Sequence, residues 1–109
     1  MAPIDLPRLL AEHRKRPEAW HEFFRVPALS LGLYRLPRGG TDLQTPHDED
    51  EIYYVLGGRG LVRIGDEDHP LEPGALVFVA KRVEHRFHDI AEDLELLVFF
   101  APAEGSAAR

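Results

Sequence analysis

The chain has 109 residues and a mass of 12.4 kDa, which is enough for one domain with a single core but not for two. A net charge of -6 excludes the basic footprint that nucleic-acid binding needs, and the absence of cysteine excludes disulfides, thiolate metal sites and thiol nucleophiles. No run of about 18 apolar residues is present for a membrane span and no apolar leader resembles a signal peptide, so a cytoplasmic protein is the expectation.

Residues 5 to 16 predict a short amphipathic helix. Asp5 is placed to cap it, Pro7 is tolerated in its first turn, and Leu6, Leu9, Leu10 and His13 follow helical spacing. Beyond Pro17, the i, i+3, i+4 spacing of Trp20, Phe23 and Phe24 predicts a second helical turn or two, carrying an aromatic stripe that packs in the core or against a subunit. Residues 1–27 are thus read as a helical leader. His13 and His21 belong to it and are expected at solvent or at its edge.

The period changes from Ala28. Leu29, Leu31 and Leu33 alternate with Ser30, Gly32 and Tyr34 as in a half-buried strand, and the run from Pro37 to Gly40 is a turn. Further strands are expected at 52–56 (closed by Gly57 and Gly58), 61–64 (closed by Gly65 and Asp66), 75–79, 85–88 and 94–100, ended by Pro102. Short strands at close spacing indicate an all-β antiparallel sandwich or barrel over residues 28–102, with a jelly roll the natural candidate and 103–109 a frayed tail.

His47 and Glu51 stand at the entry to the strand that begins at Ile52. Pro46 and the β-rich run after Glu51 disfavour a helix, and on one straight strand the two would lie roughly 13 Å apart, too far to share an ion. If Asp48, Glu49 and Asp50 turn the chain, the β-carbons of His47 and Glu51 come within about 5 Å. His85, on a distant strand, is a third candidate. Two imidazoles and one carboxylate would form a facial set suited to Fe, Mn, Ni or Zn. Thr45 points with His47, and Gln44 the other way. Tyr53 shares the face of Glu51, and Phe87 that of His85; with Thr45 they are the expected pocket walls. His69 is read as a surface residue in an acidic turn and His88 as facing outward. No nucleophile–base pair or phosphate loop is apparent.

The stretch Gly39, five residues, Thr45, one residue, His47, three residues, Glu51, six residues, Gly58 resembles the first signature of the cupin superfamily. Gly74, five residues, Ala80, one residue, Arg82, two residues, His85, three residues, Asp89 resembles the second, in which Pro, Gly and Asn usually stand at 80, 82 and 89. With the EDEIYYVLGGRG phrase, the likeness spans about residues 28–101. It implies a small single-domain jelly-roll barrel, commonly a homodimer, holding one divalent metal ion through His47, Glu51 and His85. Thr45 departs from the pattern, which has histidine there, and Gln44 could supply a fourth ligand only from an irregular turn. The function so implied is binding of a small molecule in the barrel, with dioxygenase- or isomerase-type chemistry conceivable. A non-catalytic binding or sensing module and a metal-free structural barrel are the alternatives. Dimerisation is expected through the aromatic leader and the Leu29–Leu33 strand.

Overall fold

The computed structural model describes residues 2–42 and 45–107. Among these residues one helix, α1 (Leu6–His13), precedes six strands: β1 (Trp20–Val26), β2 (Leu29–Leu36), β3 (Asp50–Ile64), β4 (Glu67–Leu71), β5 (Leu76–Val79) and β6 (His85–Ala101). All pairings are antiparallel, in the order β1-β2-β6-β3-β4, with β5 on β3. The chain is therefore an all-β antiparallel protein with one short N-terminal helix. Among the described residues no helix is long and apolar enough to cross a membrane.

Asp5 caps α1 by accepting from the Arg8 N–H at 3.2 Å. The helix stops at His13, three residues short of expectation. His13 is buried, not solvent-facing: its Nε2–H donates to the Glu18 carbonyl at 3.1 Å, and desolvation lowers its pKa. The expected second helix does not form, because residues 20–26 make strand β1. Its backbone groups are satisfied by β2, from Trp20 opposite Tyr34 to Val26 opposite Leu29. A bulge lies between Glu22 and Phe24, leaving Phe23 as the extra residue; one inserted residue is enough to give a strand the 3–4 spacing of a helix.

β2 also turns differently from expectation. Ser30 and Gly32 are buried and Tyr34 lines a cavity, so this set faces the interior of the site; Leu33 is buried on the other face. Both faces of β2 are covered, which defeats a reading based on one apolar side.

The main departure concerns the long strands. Runs 52–56 and 61–64 join into β3, and runs 85–88 and 94–100 join into β6. These two pair from Asp50 opposite Ala101 to Ile64 opposite His85, with register shifts between Val55 and Leu61. Burial falls on Glu51, Tyr53 and Val55, then shifts phase to Val62; in β6 it falls on His85 and Phe87, then on Ile90, Leu94, Leu96, Val98 and Phe100. Bulges thus keep each half of both strands pointing inward across a bend. Gly58, at φ +91°, sits in the bend of β3. In β6, Asp89 has φ +47°, and before it Arg82 has φ +65°. These are the two positions where the second cupin signature has Asn and Gly, the residues that tolerate the left-handed region most readily.

β4 takes the place of the expected acidic turn. Pro70 within it has no N–H to donate, and β4 is the terminal strand of the sheet order, where a missing donor costs no ladder bond. Past Pro102 the expected frayed tail is anchored over the described part. Ala103 is buried, the Glu104 N–H donates to Ser30 Oγ at 2.9 Å, and the Ala107 N–H donates to Glu49 Oε2 at 3.1 Å.

Candidate functional site

The buried faces of β3 and β6 bring His85, Glu51 and Tyr53 together. His85 Nδ1–H donates to the Val83 carbonyl at 3.0 Å, which leaves Nε2 as the free lone pair. The Tyr53 hydroxyl lies 2.9 Å from that nitrogen, and Glu51 Oε1 lies 3.3 Å from it. The side chains of His85 and Glu51 are each 1% exposed. Glu51 Oε2 is buried with no hydrogen-bond partner among the described residues. Burial pushes the Glu51 carboxyl up to about 7; a hydrogen bond from Tyr53 acts against this, while Glu104, Glu49 and Asp42 add repulsion.

The turn through 48–50 has the expected effect of bending the chain. Asp48 accepts from Arg82 Nε at 3.1 Å, Asp50 accepts from the Lys81 N–H at 2.9 Å, and the Arg82 N–H donates to the His47 carbonyl at 2.6 Å. His47 is thereby carried to the rim of the cluster. Its ring centroid is 6.2 Å from that of His85, and it packs edge-to-face on Phe100 at 4.9 Å. Nδ1 faces Glu104 Oε2 at 4.0 Å. Burial, and then repulsion from His85, lower the His47 pKa against the pull of nearby carboxylates.

His47 and Tyr53 also line a cavity of about 170 Å³ whose other walls are Trp20, Tyr34, Val98, Phe100 and Glu104. The indole of Trp20 lies over Gly32, where an added β-carbon would stand 2.1 Å from the ring. It meets Phe100 at 5.9 Å and 86°, and Tyr34 at 6.5 Å and 68°. Tyr34 donates to Asp42 Oδ1 at 2.7 Å, and Asp42 Oδ2 accepts the Phe87 N–H at 3.0 Å. Burial and the bond to Asp42 hold the Tyr34 hydroxyl well above the usual phenol range.

Of the expected wall residues, Tyr53 is on the cavity. Phe87 is buried in the core against Tyr53 at 4.9 Å and does not line it. Thr45 is exposed, beyond the cavity wall. Gln44 lies outside the described residues. Sequence reasoning missed Tyr34, Asp42, Phe100 and Glu104, and assigned Trp20 to packing. Trp20 and Tyr34 could have been found only by reading β1 and β2 as a bulged hairpin, and Glu104 carries no local signal at all.

The residues meet a cation's requirements in two respects. The 3.3 Å between His85 Nε2 and Glu51 Oε1 equals the separation of two donors each about 2.1 Å from one ion. The Val83 carbonyl also fixes the His85 tautomer, as the outer partner of a ligating imidazole does. His47 is turned toward Phe100 and Glu104, and among the described residues no group of three His, Asp or Glu side chains is close enough to hold a metal ion.

Residues 32–100 match the family model described as the cupin domain. Over 95% of this chain and 99% of its own length, the uncharacterized protein SCO3923 of Streptomyces coelicolor is 41% identical. The crystal structure of TT1209 from Thermus thermophilus is 31% identical with a TM-score of 0.75, covering 94% of this chain and 99% of that one. KdgF from Halomonas sp. shares 23% identity over 76% of each chain with a TM-score of 0.69, a likeness of fold. These neighbours support a jelly-roll arrangement of the strands.

Proposed function

The chain belongs to the cupin domain family, and from that premise we propose that it binds a small molecule in the aromatic cavity, beside one divalent cation held by His85 and Glu51, with His47 as third ligand once its ring turns in from Phe100. The observation that carries this reading is the buried Glu51 Oε2, left without a partner among the described residues beside the lone pair of His85. A buried acceptor in that state costs roughly 1–3 kcal/mol, more if ionised, and a cation relieves that cost. When bound, the ion supplies a positive charge that polarises an oxygen of the ligand. The chain's own groups bind and orient. Tyr53 bridges the cluster and the cavity, Trp20, Tyr34 and Phe100 cover the ligand's apolar part, and His47 and Glu104 present polar atoms to it. Binding, rather than turnover, is the role these contacts serve directly, and the same groups suit a sensing module or an enzyme.

The test is thermal unfolding of chelator-treated protein with Mn(II), Fe(II), Ni(II) or Zn(II) added. At about 100 times Kd an ion contributes about 2.7 kcal/mol, a rise on the order of 10 °C in Tm for a chain of this size. Glu51→Ala should remove the rise. An unchanged Tm in wild type with all four ions would establish a metal-free barrel instead.

The dimer is part of the same proposal, with a changed location. Ile52, Leu76 and Phe78 are exposed on the outside of the β3–β5 pair, and Ile52 is register partner to Phe78. Light scattering at micromolar concentration should give twice the chain mass, and Phe78→Asp should return it to the monomer value.

A further inference from the structure

The cavity has a composition that selects among ligand classes. Three of its walls are aromatic rings set at steep angles to one another: Trp20 to Phe100 at 86° and Trp20 to Tyr34 at 68°. Rings arranged in this way offer faces and edges from several directions, and a ring face attracts positive charge. Among the described residues no lysine or arginine lines the cavity, and its one lining carboxylate is Glu104.

Glu104 is held in place rather than carried on a loose end. Its N–H donates to Ser30 Oγ at 2.9 Å and its carbonyl accepts from Arg25 Nη2 at 2.6 Å, so the backbone is fixed on both sides. The side chain is 31% exposed, with Glu22 and Glu49 as like-charged neighbours and Arg25 as the opposing charge. A carboxylate in that setting gains from a positive neighbour. His47 Nδ1 lies 4.0 Å from Glu104 Oε2.

We infer that the cavity takes a small organic cation with an alkylated ammonium head, seated among Trp20, Tyr34 and Phe100 with its charge facing Glu104. The inference rests on the reading of this cavity as the ligand site and adds the chemical class of the ligand. The volume suits it: an apolar cavity of about 150 Å³ holds a molecule of benzene size, and a trimethylammonium group is no larger.

Trp20 is the chain's single tryptophan, so its fluorescence reports on the cavity directly. The full chain is titrated with choline, with its neutral isostere 3,3-dimethyl-1-butanol, and with phenol as a probe of the cavity without charge. Choline should saturate a change in Trp20 emission and bind about tenfold or more tightly than the isostere, the size expected of partly desolvated cation–π and charge contacts. Glu104→Gln, nearly isosteric and partly exposed, should keep the wild-type melting temperature and bring the two affinities within about threefold. Equal affinities in wild type, or a preference that Glu104→Gln leaves unchanged, would overturn the inference. If phenol binds and choline does not, the cation class is wrong and the cavity reading survives. If none of the three perturbs Trp20, both are overturned.

Discussion

Glu51→Gln is expected to make the chelator-treated protein more stable than wild type at pH 8, by about 3 kcal/mol relative to any difference at pH 4. The buried carboxyl holds its proton up to about 7, against 4.5 for the free side chain. Below 4.5 both folded and unfolded chains are protonated there and Glu51 adds no pH dependence. Between about 4.5 and 7 the unfolded chain releases the proton and the folded chain keeps it, so wild-type stability falls as pH rises. Above 7 both are ionised and the loss is complete. The displacement of about 2.5 units, at 1.36 kcal/mol per unit, sets the size. Glutamine does not ionise, so its profile lacks this descent. Urea unfolding at pH 4, 6 and 8 measures the difference; parallel profiles would show that the Glu51 site is solvated. A saturating divalent ion should reverse the order at pH 8, because only wild type retains the carboxylate proposed to hold it.

Gly58→Ala should cost more than any other single methyl addition at a glycine of this chain. An added β-carbon at Gly58 would stand 2.1 Å from the Asp93 carbonyl oxygen and 2.6 Å from its carbon, both backbone atoms of the facing strand. Neither can swing aside as a side chain would, and φ +91° is itself unfavourable for alanine. A loss of about 3–5 kcal/mol follows from overpacking and strain together. Gly65→Ala is the control: its φ is +62°, yet nothing lies within 4 Å of the added carbon, so only the conformational term of about 1 kcal/mol applies. Denaturant midpoints of the two variants separate the contributions. Equal midpoints would mean that β6 yields at Asp93.

These glycines also show why parts of the fold were hard to read from sequence. Gly57, Gly58 and Gly60 punctuate an apolar run in the manner of a hairpin, whereas here they permit one strand to bend. The distinction depends on what lies across from them, and Asp93 is far away in the chain. Trp20, Phe23 and Phe24 misled for a related reason, since the bulge at Phe23 is stabilised by β2 and leaves no local mark. By contrast, the alternation of His85 with Phe87 and of Glu51 with Tyr53 and Val55 is local, and these residues do share buried faces. The bend at Asp48 and Glu49, ahead of β3, was legible because Pro46 and the acidic triplet restrict how that segment can run. The cavity was not, because its walls come from β1, β2, β3, β6 and the segment after Pro102, brought together only by the finished sheet.

The pairing of β3 with β6 has a kinetic consequence. Asp50 meets Ala101 and Glu51 meets Phe100, so nearly half the chain must be looped out before the first rung at that end can form. Loop closure of this kind is slow to be rewarded, and proteins dominated by such distant contacts fold in milliseconds to seconds rather than microseconds. Glu51 and His85 would meet only late in that sequence of events, so the cluster would assemble on a scaffold that is already largely folded.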